Sequence, residues 1–279
     1  RKSAGQGHAL AQSFLGFMYL SGGDISKNAA EAMTWSRKAA AQGEPMAQNT
    51  VGFMYLSGQG VTKSERDAEA WFRKSMARGS RDAMYNLGVM YHRGLGVGRD
   101  DAEAARLLRA AAERGHPGAQ LGLAILYSEG SGVRRDLVEA VRWMRLAADQ
   151  GVVMAQHNMG VSYWSGRGVP RDAEQALQWY LKAAHQGLAL AQLAAAQMYE
   201  RGRGTSKDDV AAYMWLTLGA PKVAGDARLT RECERLRRTL ERRMSSDDLT
   251  EARQMAADWT PTVAAAAAAA PPPDLAVKP

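Results

Sequence analysis

The fold is indicated most clearly by the stretch from Ala155 to Gly187, which reads AQHNMGVSYWSGRGVPRDAEQALQWYLKAAHQG. In its first half Ala155, Met159 and Tyr163 recur at i, i+4 and i+8, so they lie on one face of an α-helix. Gly166 follows, and glycine readily adopts the left-handed conformation that ends a helix. The first half therefore predicts a helix that stops at this glycine.

The second half of the stretch predicts another helix. Asp172 suits the N-cap, and Gln175, three residues later, is placed to reach back to the backbone of the cap. Ala176 and Trp179 share one face of this helix, which ends at Gly187. The stretch is thus predicted to be a hairpin of two antiparallel helices, helix A and helix B, joined by a short turn.

The same pattern returns every 36 residues along most of the chain. Glycines keep this interval at Gly7, Gly43, Gly79, Gly115, Gly151 and Gly187. Tyrosines keep it at Tyr19, Tyr55, Tyr91, Tyr127, Tyr163 and Tyr199. Since internal repetition at a fixed period of this length is typical of solenoids, six repeats are predicted, the last of them incomplete.

Neither helix of one repeat can bury its apolar side alone, so the repeats must stack and share a continuous core. Small residues are expected to let the backbones of packed helices approach closely; they include Gly16, Gly52, Gly88 and Gly160. The aromatic columns fill the space between helices, so we expect Tyr127 and Trp143 to be largely buried. Positions fixed in every repeat are thereby assigned to packing.

The repeated pattern reads A-Q-x-x-L-G-x-x-Y-x-x-G-x-G-V-x-x-D-x-x-x-A-x-x-W-x-x-x-A-A-x-x-G. It resembles the Sel-one-like repeat, a relative of the tetratricopeptide repeat. The resemblance covers the chain from about His8 to Ala220. It implies an all-α, right-handed α-solenoid of helix–turn–helix repeats, capped by C-terminal helices. It also implies a scaffold or adaptor that binds partner proteins or peptides on the concave face of the solenoid.

The expected organisation has four parts. Residues 1–7 match the end of a helix B and are expected to close a truncated upstream repeat. Residues 8–220 form the six repeats, and residues 221–259 form C-terminal capping helices, the last with Ser246 as its N-cap. Residues 260–279, rich in alanine and proline, are predicted to be a disordered tail.

Sequence motifs for catalysis or cofactor binding are missing. The chain contains no G-x-x-x-x-G-K, H-E-x-x-H or G-x-S-x-G motif, and its glycine-rich turns follow helices instead of strands. The five histidines are spread over four different repeat positions, and the single cysteine, Cys233, cannot form a zinc site of the usual spacing. We therefore predict no enzyme activity, no cofactor and no metal.

Two alternatives to the scaffold remain open. Cysteine-rich bacterial relatives are linked to β-lactam binding or hydrolysis, but this chain lacks S-x-x-K, S-D-N and K-T-G. The segment from Asp226 to Arg243 carries seven arginines and four acidic residues, and could bind an acidic partner. A solvated capping helix with pairs of Glu234 to Arg237 and Arg238 is the competing interpretation.

Positions of helix A that vary between repeats are free for recognition, and the resemblance to tetratricopeptide arrays puts helix A on the concave surface. The candidate partner-binding residues are Asn49, Phe53, Tyr85, His92, Arg93, His157 and Trp164. Trp164 lies outside the repeated tryptophan column. It is either a binding hot spot or a residue stacked on the neighbouring repeat.

Composition limits the remaining possibilities. A chain with 46% hydrophobic and 23% charged residues is expected to fold, and its net charge of +7 permits weak attraction to anions without indicating nucleic acid. No apolar run approaches the roughly 18 residues that span a bilayer. We expect protein or peptide partners, no small-molecule substrate, no nucleic acid and a monomer. The sequence begins at Arg1, so a removed signal peptide stays possible, and the compartment stays open between bacterial periplasm and cytoplasm.

Overall fold

The computed structural model describes residues 2–22 and 25–262. Those residues contain fifteen α-helices, one 3-10 helix and no strand, in two compact units. The first unit, residues 1–135, has α1 (Lys2–Gly5), α2 (Ala9–Ser21), α3 (Ala29–Ala41), α4 (Pro45–Ser57), α5 (Glu65–Ala77), α6 (Arg81–Arg93), α7 (Asp101–Glu113) and α8 (Pro117–Glu129). The second, residues 136–279, has α9 (Leu137–Asp149), α10 (Val153–Ser165), α11 (Ala173–His185), α12 (Ala189–Arg201), α13 (Asp209–Gly219), a 3-10 helix (Ala220–Val223), α14 (Ala227–Glu241) and α15 (Ser246–Asp258).

Even-numbered helices α2 to α12 are the predicted helices A, and odd-numbered helices α3 to α13 are the helices B. Within each unit, helix A packs on the helix B that follows it, and that helix B packs on the next helix A. The predicted all-α solenoid of helix hairpins is therefore confirmed.

The turn between helices A and B depends on two glycines, as in the repeat of α10 and α11. Gly166 ends α10 with φ 72°, in the left-handed region, and its N–H bonds to Ser162 O at 2.9 Å. Gly168 also has a positive φ, of 74°, and a Cβ there would lie 2.2 Å from Leu137 O. The second glycine is therefore required both by conformation and by contact with the preceding helix B.

Helices B begin at the predicted N-caps, but the predicted return contact is wrong. Asp136 Oδ1 accepts the N–H groups of Val138 and Glu139, each at 3.0 Å. The Glu139 carboxylate does not reach back to the cap. Instead it accepts the indole N–H of Trp143 at 2.8 Å, so this acid orients the buried tryptophan.

Close packing within a repeat and a buried amide between repeats hold the helices of the second unit together. A Cβ at Gly160 would lie 2.6 Å from the Tyr180 ring, so only glycine lets α10 approach α11 of the same repeat this closely. Gln192 is fully buried and donates from Nε2 to Ala184 O, in the last turn of the helix B of the preceding repeat. The constant spacing of the repeat thus corresponds to specific helix-to-helix contacts.

An arginine column on the helices B forms a further bridge between repeats, which the sequence analysis missed. Each guanidinium donates to the tyrosine hydroxyl 18 residues later, on the next helix A. The pairs are Arg37 with Tyr55, Arg73 with Tyr91, Arg109 with Tyr127, and Arg145 with Tyr163. These tyrosines therefore keep a polar end at the surface.

This bridge corrects one expectation about burial. Trp143 is buried as predicted, with 7% of its surface exposed. Tyr127 is only partly buried, because its hydroxyl must reach the exposed guanidinium of Arg109. The tyrosine column consequently serves both packing and hydrogen bonding.

Two helices close the second unit after α13. Leu240 of α14 is fully buried in the same core as Trp215, and the Trp259 ring meets that of Trp215 edge to face at 6.4 Å. The N-cap of α15 is Ser245, one residue before the predicted Ser246, because its side chain and that of Asp248 complete a capping box. Residues 221–259 thus contain two helices, α14 and α15, and their role as a cap stays a prediction.

The first residues of the predicted tail contact the end of α11. The N–H of Thr262 donates to His185 O at 2.8 Å, and Pro261 packs near Gly187. These contacts hold residues 261 and 262 against the helix. The remaining predicted tail, residues 263–279, lies outside the described residues.

Candidate functional site

Exposed apolar side chains concentrate on the helices A. Nine large hydrophobic residues in the described part of the chain are exposed, and six of them lie on helices A. The six are Leu10, Phe14, Phe17, Phe53, Val161 and Leu190. We call the exposed surface of the helices A in each unit the helix-A face. The helix-A face is therefore the candidate interaction surface of each unit.

In the first unit, two of the predicted binding residues lie one turn apart on α4. Phe53 has 36% of its surface exposed. Asn49 is half-buried, and its Oδ1 accepts a hydrogen bond from Asn86 Nδ2 of α6 at 2.9 Å. Asn49 therefore joins two adjacent helices A, while Phe53 is available to a partner.

Tyr85 was predicted to face the groove, and that prediction is wrong. The residue is buried, with 4% of its surface exposed, and its ring stacks on that of His116 with centroids 4.5 Å apart. Its hydroxyl has no hydrogen-bond partner among the described residues, and burial raises its pKa. The position packs in this repeat because the next helix A begins with His116 directly against it.

His92 and Arg93 end α6 and are half-buried. His92 Nδ1 lies 2.7 Å from Asp101 Oδ1, and Arg99 Nη2 lies 2.8 Å from the other oxygen of the same carboxylate. The Arg99 hydrogen bond, followed by that of His92, lowers the pKa of Asp101. His92 is consequently held in a local ion-pair network at the edge of the helix-A face.

In the second unit, His157 and Trp164 are brought together around Tyr180. The His157 and Tyr180 rings are 5.5 Å apart, and burial lowers the pKa of His157. Trp164 is half-buried and lines a cavity of about 180 Å³ together with Tyr180, Gln197 and Met198. Trp164 thus packs against the core that includes the next repeat, as one interpretation predicted, and it also borders an opening; its role as a binding hot spot stays a prediction.

A second cavity continues this opening along α12. It has a volume of about 130 Å³, and its apolar walls include Leu190, Leu229 and Leu236. Both cavities are lined by Ala194 and Gln197. Because residues 190, 194, 197 and 201 lie on one face of α12, the two cavities adjoin along this face of the helix. We call the two adjoining cavities the α12 groove.

The α12 groove was not predicted from the sequence, although one pattern points to Gln197. Position 197 follows Phe53 and Val161 on the 36-residue interval, at a helix-A position that is exposed in these two residues and buried in Val89 and Ile125. The far wall of the groove could not be found in this way. It is made by Leu229, Cys233 and Leu236 of α14, which lies outside the repeat.

Cys233 contributes an apolar wall to the groove. The residue is buried, and burial raises the pKa of its thiol. A thiol kept protonated in this way is a poor nucleophile. No group of three or more histidine, cysteine or acidic side chains suited to a metal occurs in the described residues. Across these same residues, no helix is long and apolar enough to cross a membrane.

The outer face of α14 carries a stripe of exposed arginines. They are Arg228, Arg231, Arg235, Arg238 and Arg242, spaced by three and four residues. The predicted pairs of Glu234 with Arg237 and Arg238 do not form within α14, all of which is described. Arg238 Nε instead bonds the backbone oxygen of Glu234 at 3.4 Å, so its guanidinium folds back on the helix.

Stacked helix hairpins of constant length, with an apolar face on one helix of each hairpin, define an α-solenoid repeat protein. The Sel1 repeat model matches residues 9–44, 45–80, 81–116, 117–152, 153–188 and 189–220. The chain therefore belongs to the Sel1 repeat family, whose members are in general protein-interaction scaffolds.

Solved structures agree with this assignment. A protective antigen of uropathogenic Escherichia coli strains with an SLR fold is 35% identical, with a TM-score of 0.77, and the match covers 92% of this chain and 55% of that one. A Sel1 repeat protein from Oxalobacter formigenes is 34% identical, with a TM-score of 0.73, over 84% of this chain and 67% of that one. The chain thus spans about half the length of the Escherichia coli protein.

A more distant structural relative shows the fold alone. An immunity protein from Pseudomonas aeruginosa is 20% identical, with a TM-score of 0.50, over 83% of this chain and 81% of that one. Comparison with curated proteins gave no match.

Proposed function

We propose that this chain is a non-catalytic scaffold that binds segments of partner proteins on its helix-A face. Exposed apolar side chains on the helices A are the main support for this proposal. They include Phe53 in the first unit and Val161 and Leu190 in the second. A soluble protein exposes a contiguous apolar surface at a thermodynamic cost, which binding removes.

The lining of the α12 groove is suited to a short segment of a partner protein. Its floor is apolar at Leu190 and Ala194, while the exposed Gln197 offers an amide that can bond a peptide backbone. Grooves between helices bind amphipathic helices or extended segments through a few apolar anchor side chains. The geometry therefore favours a short segment over a flat domain surface.

Site-specific photo-crosslinking tests the proposal directly. A photoreactive phenylalanine analogue replaces Gln197 in the α12 groove, or replaces Gln178, which is exposed on helix B of the preceding repeat. We expect partner proteins to be covalently captured from position 197 and not from position 178. Equal capture from both positions, or capture from position 178 alone, would contradict binding on the helix-A face.

The proposal also includes the absence of turnover. The buried, protonated Cys233 supports it, because the thiol has no activated form. Purified protein should neither hydrolyse a chromogenic cephalosporin nor be acylated by a labelled penicillin. Turnover that co-purifies with the protein and disappears on a single serine substitution would overturn the non-catalytic assignment.

The arginine stripe of α14 favours a second candidate, a surface for an acidic partner. Its members form no salt bridge among the described residues, and only Asp226 interacts with the charges of Arg228 and Arg231, so much of the positive charge of the stripe faces the solvent. Binding of this kind weakens steeply with ionic strength. Capture that is lost in Arg235→Glu/Arg238→Glu and preserved when Gln197 is blocked would select this surface over the helix-A face.

A further inference from the structure

Trp164 lies between two arginines from different loops. The Arg171 guanidinium carbon is 5.6 Å from the centre of the tryptophan ring, and that of Arg203 is 5.3 Å from it. Arg171 belongs to the turn before α11, and Arg203 to the turn after α12. Both distances fall within the range of favourable cation–π interactions, so the ring positions both side chains at one end of the α12 groove.

Arg171 lacks an acidic partner that some of the equivalent residues have. Three of the six basic residues at this repeat position pair with an acid two residues later. Such pairs are Lys63 with Glu65 at 3.1 Å, Arg99 with Asp101 at 2.8 Å, and Lys207 with Asp209 at 3.6 Å. In this repeat the later residue is Ala173, so Arg171 has no such partner and turns to Trp164.

The arginines at this end of the groove are poorly neutralised. Neither Arg171 nor Arg203 forms an ion pair with a carboxylate among the described residues. Arg201 lines the cavity, and its neighbour Glu200, 3.5 Å away, also pairs with Arg243 at 3.2 Å. Positive charge thus borders the opening while Trp164, Tyr180 and Met198 form its apolar wall.

We infer that this end of the α12 groove binds an acidic segment of a partner protein. Carboxylates of the segment pair with Arg171 and Arg203, and an adjacent apolar side chain enters the cavity between Trp164 and Tyr180. The guanidinium group suits carboxylates because it offers two parallel N–H donors. The inference rests on the proposed function, to which it adds the chemistry of the partner.

A nucleic acid fits the same surface less well. Both guanidiniums lie close to the Trp164 ring, which reduces the area open to base stacking, and the groove continues between leucines. Charge and apolar surface occur side by side here. A peptide with acidic residues next to an apolar one complements both features.

Selection from a displayed library of random peptides tests the inference with the full chain as bait. We expect enriched peptides to carry Asp or Glu next to Leu, Met or Phe. A synthetic enriched peptide should bind Arg171→Glu/Arg203→Glu at least 10-fold more weakly than the unchanged protein in fluorescence anisotropy. The neutral variant Arg171→Gln/Arg203→Gln should show a smaller loss, which separates lost pairing from added repulsion.

A matched variant controls for net charge. Lys38→Glu/Lys74→Glu, at exposed positions of the helices B α3 and α5, changes the charge equally and touches neither the groove nor the arginine stripe of α14, so it should bind the peptide within 3-fold of the unchanged protein. Circular dichroism should report full helicity for all variants. Equal losses in both charge-reversed variants would overturn the inference, because attraction would then be non-specific.

Other outcomes separate this inference from the proposed function. Enrichment of neutral or basic peptides, or no enrichment at all, overturns the acidic partner, and the proposed function survives if position 197 still crosslinks partners. Displacement of the peptide by a single-stranded oligonucleotide at equal concentration also overturns it. Loss of crosslinking at position 197 removes the proposed function, and the inference with it.

Discussion

Arg145 donates a hydrogen bond from its guanidinium to the hydroxyl of Tyr163, which joins helix B of one repeat to helix A of the next. The same guanidinium lies 5.8 Å from the centre of the Trp179 ring, so one arginine contacts two helices of the following hairpin. At the next repeat the arginine position is occupied by Leu181, and Tyr199 has no such donor. The second unit therefore contains one bridged and one unbridged tyrosine in equivalent places.

This pair of tyrosines allows a matched test of the bridge. Tyr163→Phe should lower the free energy of unfolding by about 1 kcal/mol, the usual net contribution of a hydrogen bond. Tyr199→Phe should change it by less than about 0.5 kcal/mol, because no arginine bond is lost. Urea denaturation followed by circular dichroism measures both values. Equal effects would show that the bridge does not stabilise the stack.

Removal of the buried Tyr85 hydroxyl should not lower the free energy of unfolding, in contrast to removal of the Tyr163 hydroxyl. Because this hydroxyl is desolvated and unpaired in the described residues, Tyr85→Phe should leave stability unchanged or raise it by up to about 1 kcal/mol. Tyr85→Ala should cost about 3–5 kcal/mol, since it removes a buried ring. Thermal denaturation compares the two. A loss of more than about 1 kcal/mol in the phenylalanine variant would indicate a hydrogen bond that the structure does not contain.

His116 should make the first unit sensitive to acid. Burial lowers the pKa of His116, Asp82 opposes this shift, and Arg81 adds to it. A lowered folded-state pKa means that the unfolded chain binds protons first as the pH falls. Stability is thus fully present above the unfolded value of about 6.5 and is lost as the pH falls below it.

The variant His116→Asn checks this pH dependence. His116 Nδ1 accepts the N–H of Ala119 at 3.0 Å as an N-cap, and asparagine can replace that bond without titrating. Urea midpoints measured between pH 7.5 and 5 should fall less in the variant than in the unchanged protein. An identical slope in both proteins would exclude His116 as a source of the acid sensitivity.

The sequence predicted the repeat well because packing and turn chemistry leave periodic marks. The helix A stop at Gly166 and the N-cap at Asp136 follow from single residue types with one structural role. Tyr85 was misjudged because its burial depends on His116, a residue outside the repeat pattern. The α12 groove was missed because one of its walls, at Leu229 and elsewhere on α14, has no counterpart in the repeats.

Trp143 and Asp136 test the separation of core and cap roles within one helix B. Trp143→Ala removes a buried aromatic side chain and should cost about 3–5 kcal/mol. Asp136→Ala removes one N-cap and should cost only about 1 kcal/mol. Urea titration of both variants provides the comparison. Equally mild effects would refute the assignment of Trp143 to the core.

The last prediction concerns the first unit, where Phe53 is the most accessible of the proposed binding residues. Phe53 on α4 has 36% of its surface exposed, so Phe53→Glu should leave the helical circular dichroism intact. It should nevertheless weaken binding of a partner mapped to the helix-A face by roughly 30-fold, because a truncated hot-spot aromatic costs about 2 kcal/mol. Val138→Glu is the control, since Val138 is an exposed apolar residue on helix B of the second unit, with 69% of its surface exposed. Surface plasmon resonance with a partner captured by a photoreactive phenylalanine analogue at position 53 measures both affinities. If Val138→Glu weakens binding as much as Phe53→Glu, exposed apolar surface in general holds the partner, and the helix-A face loses its special role. If only Val138→Glu weakens binding, the partner lies on the helices B and the proposed face is wrong.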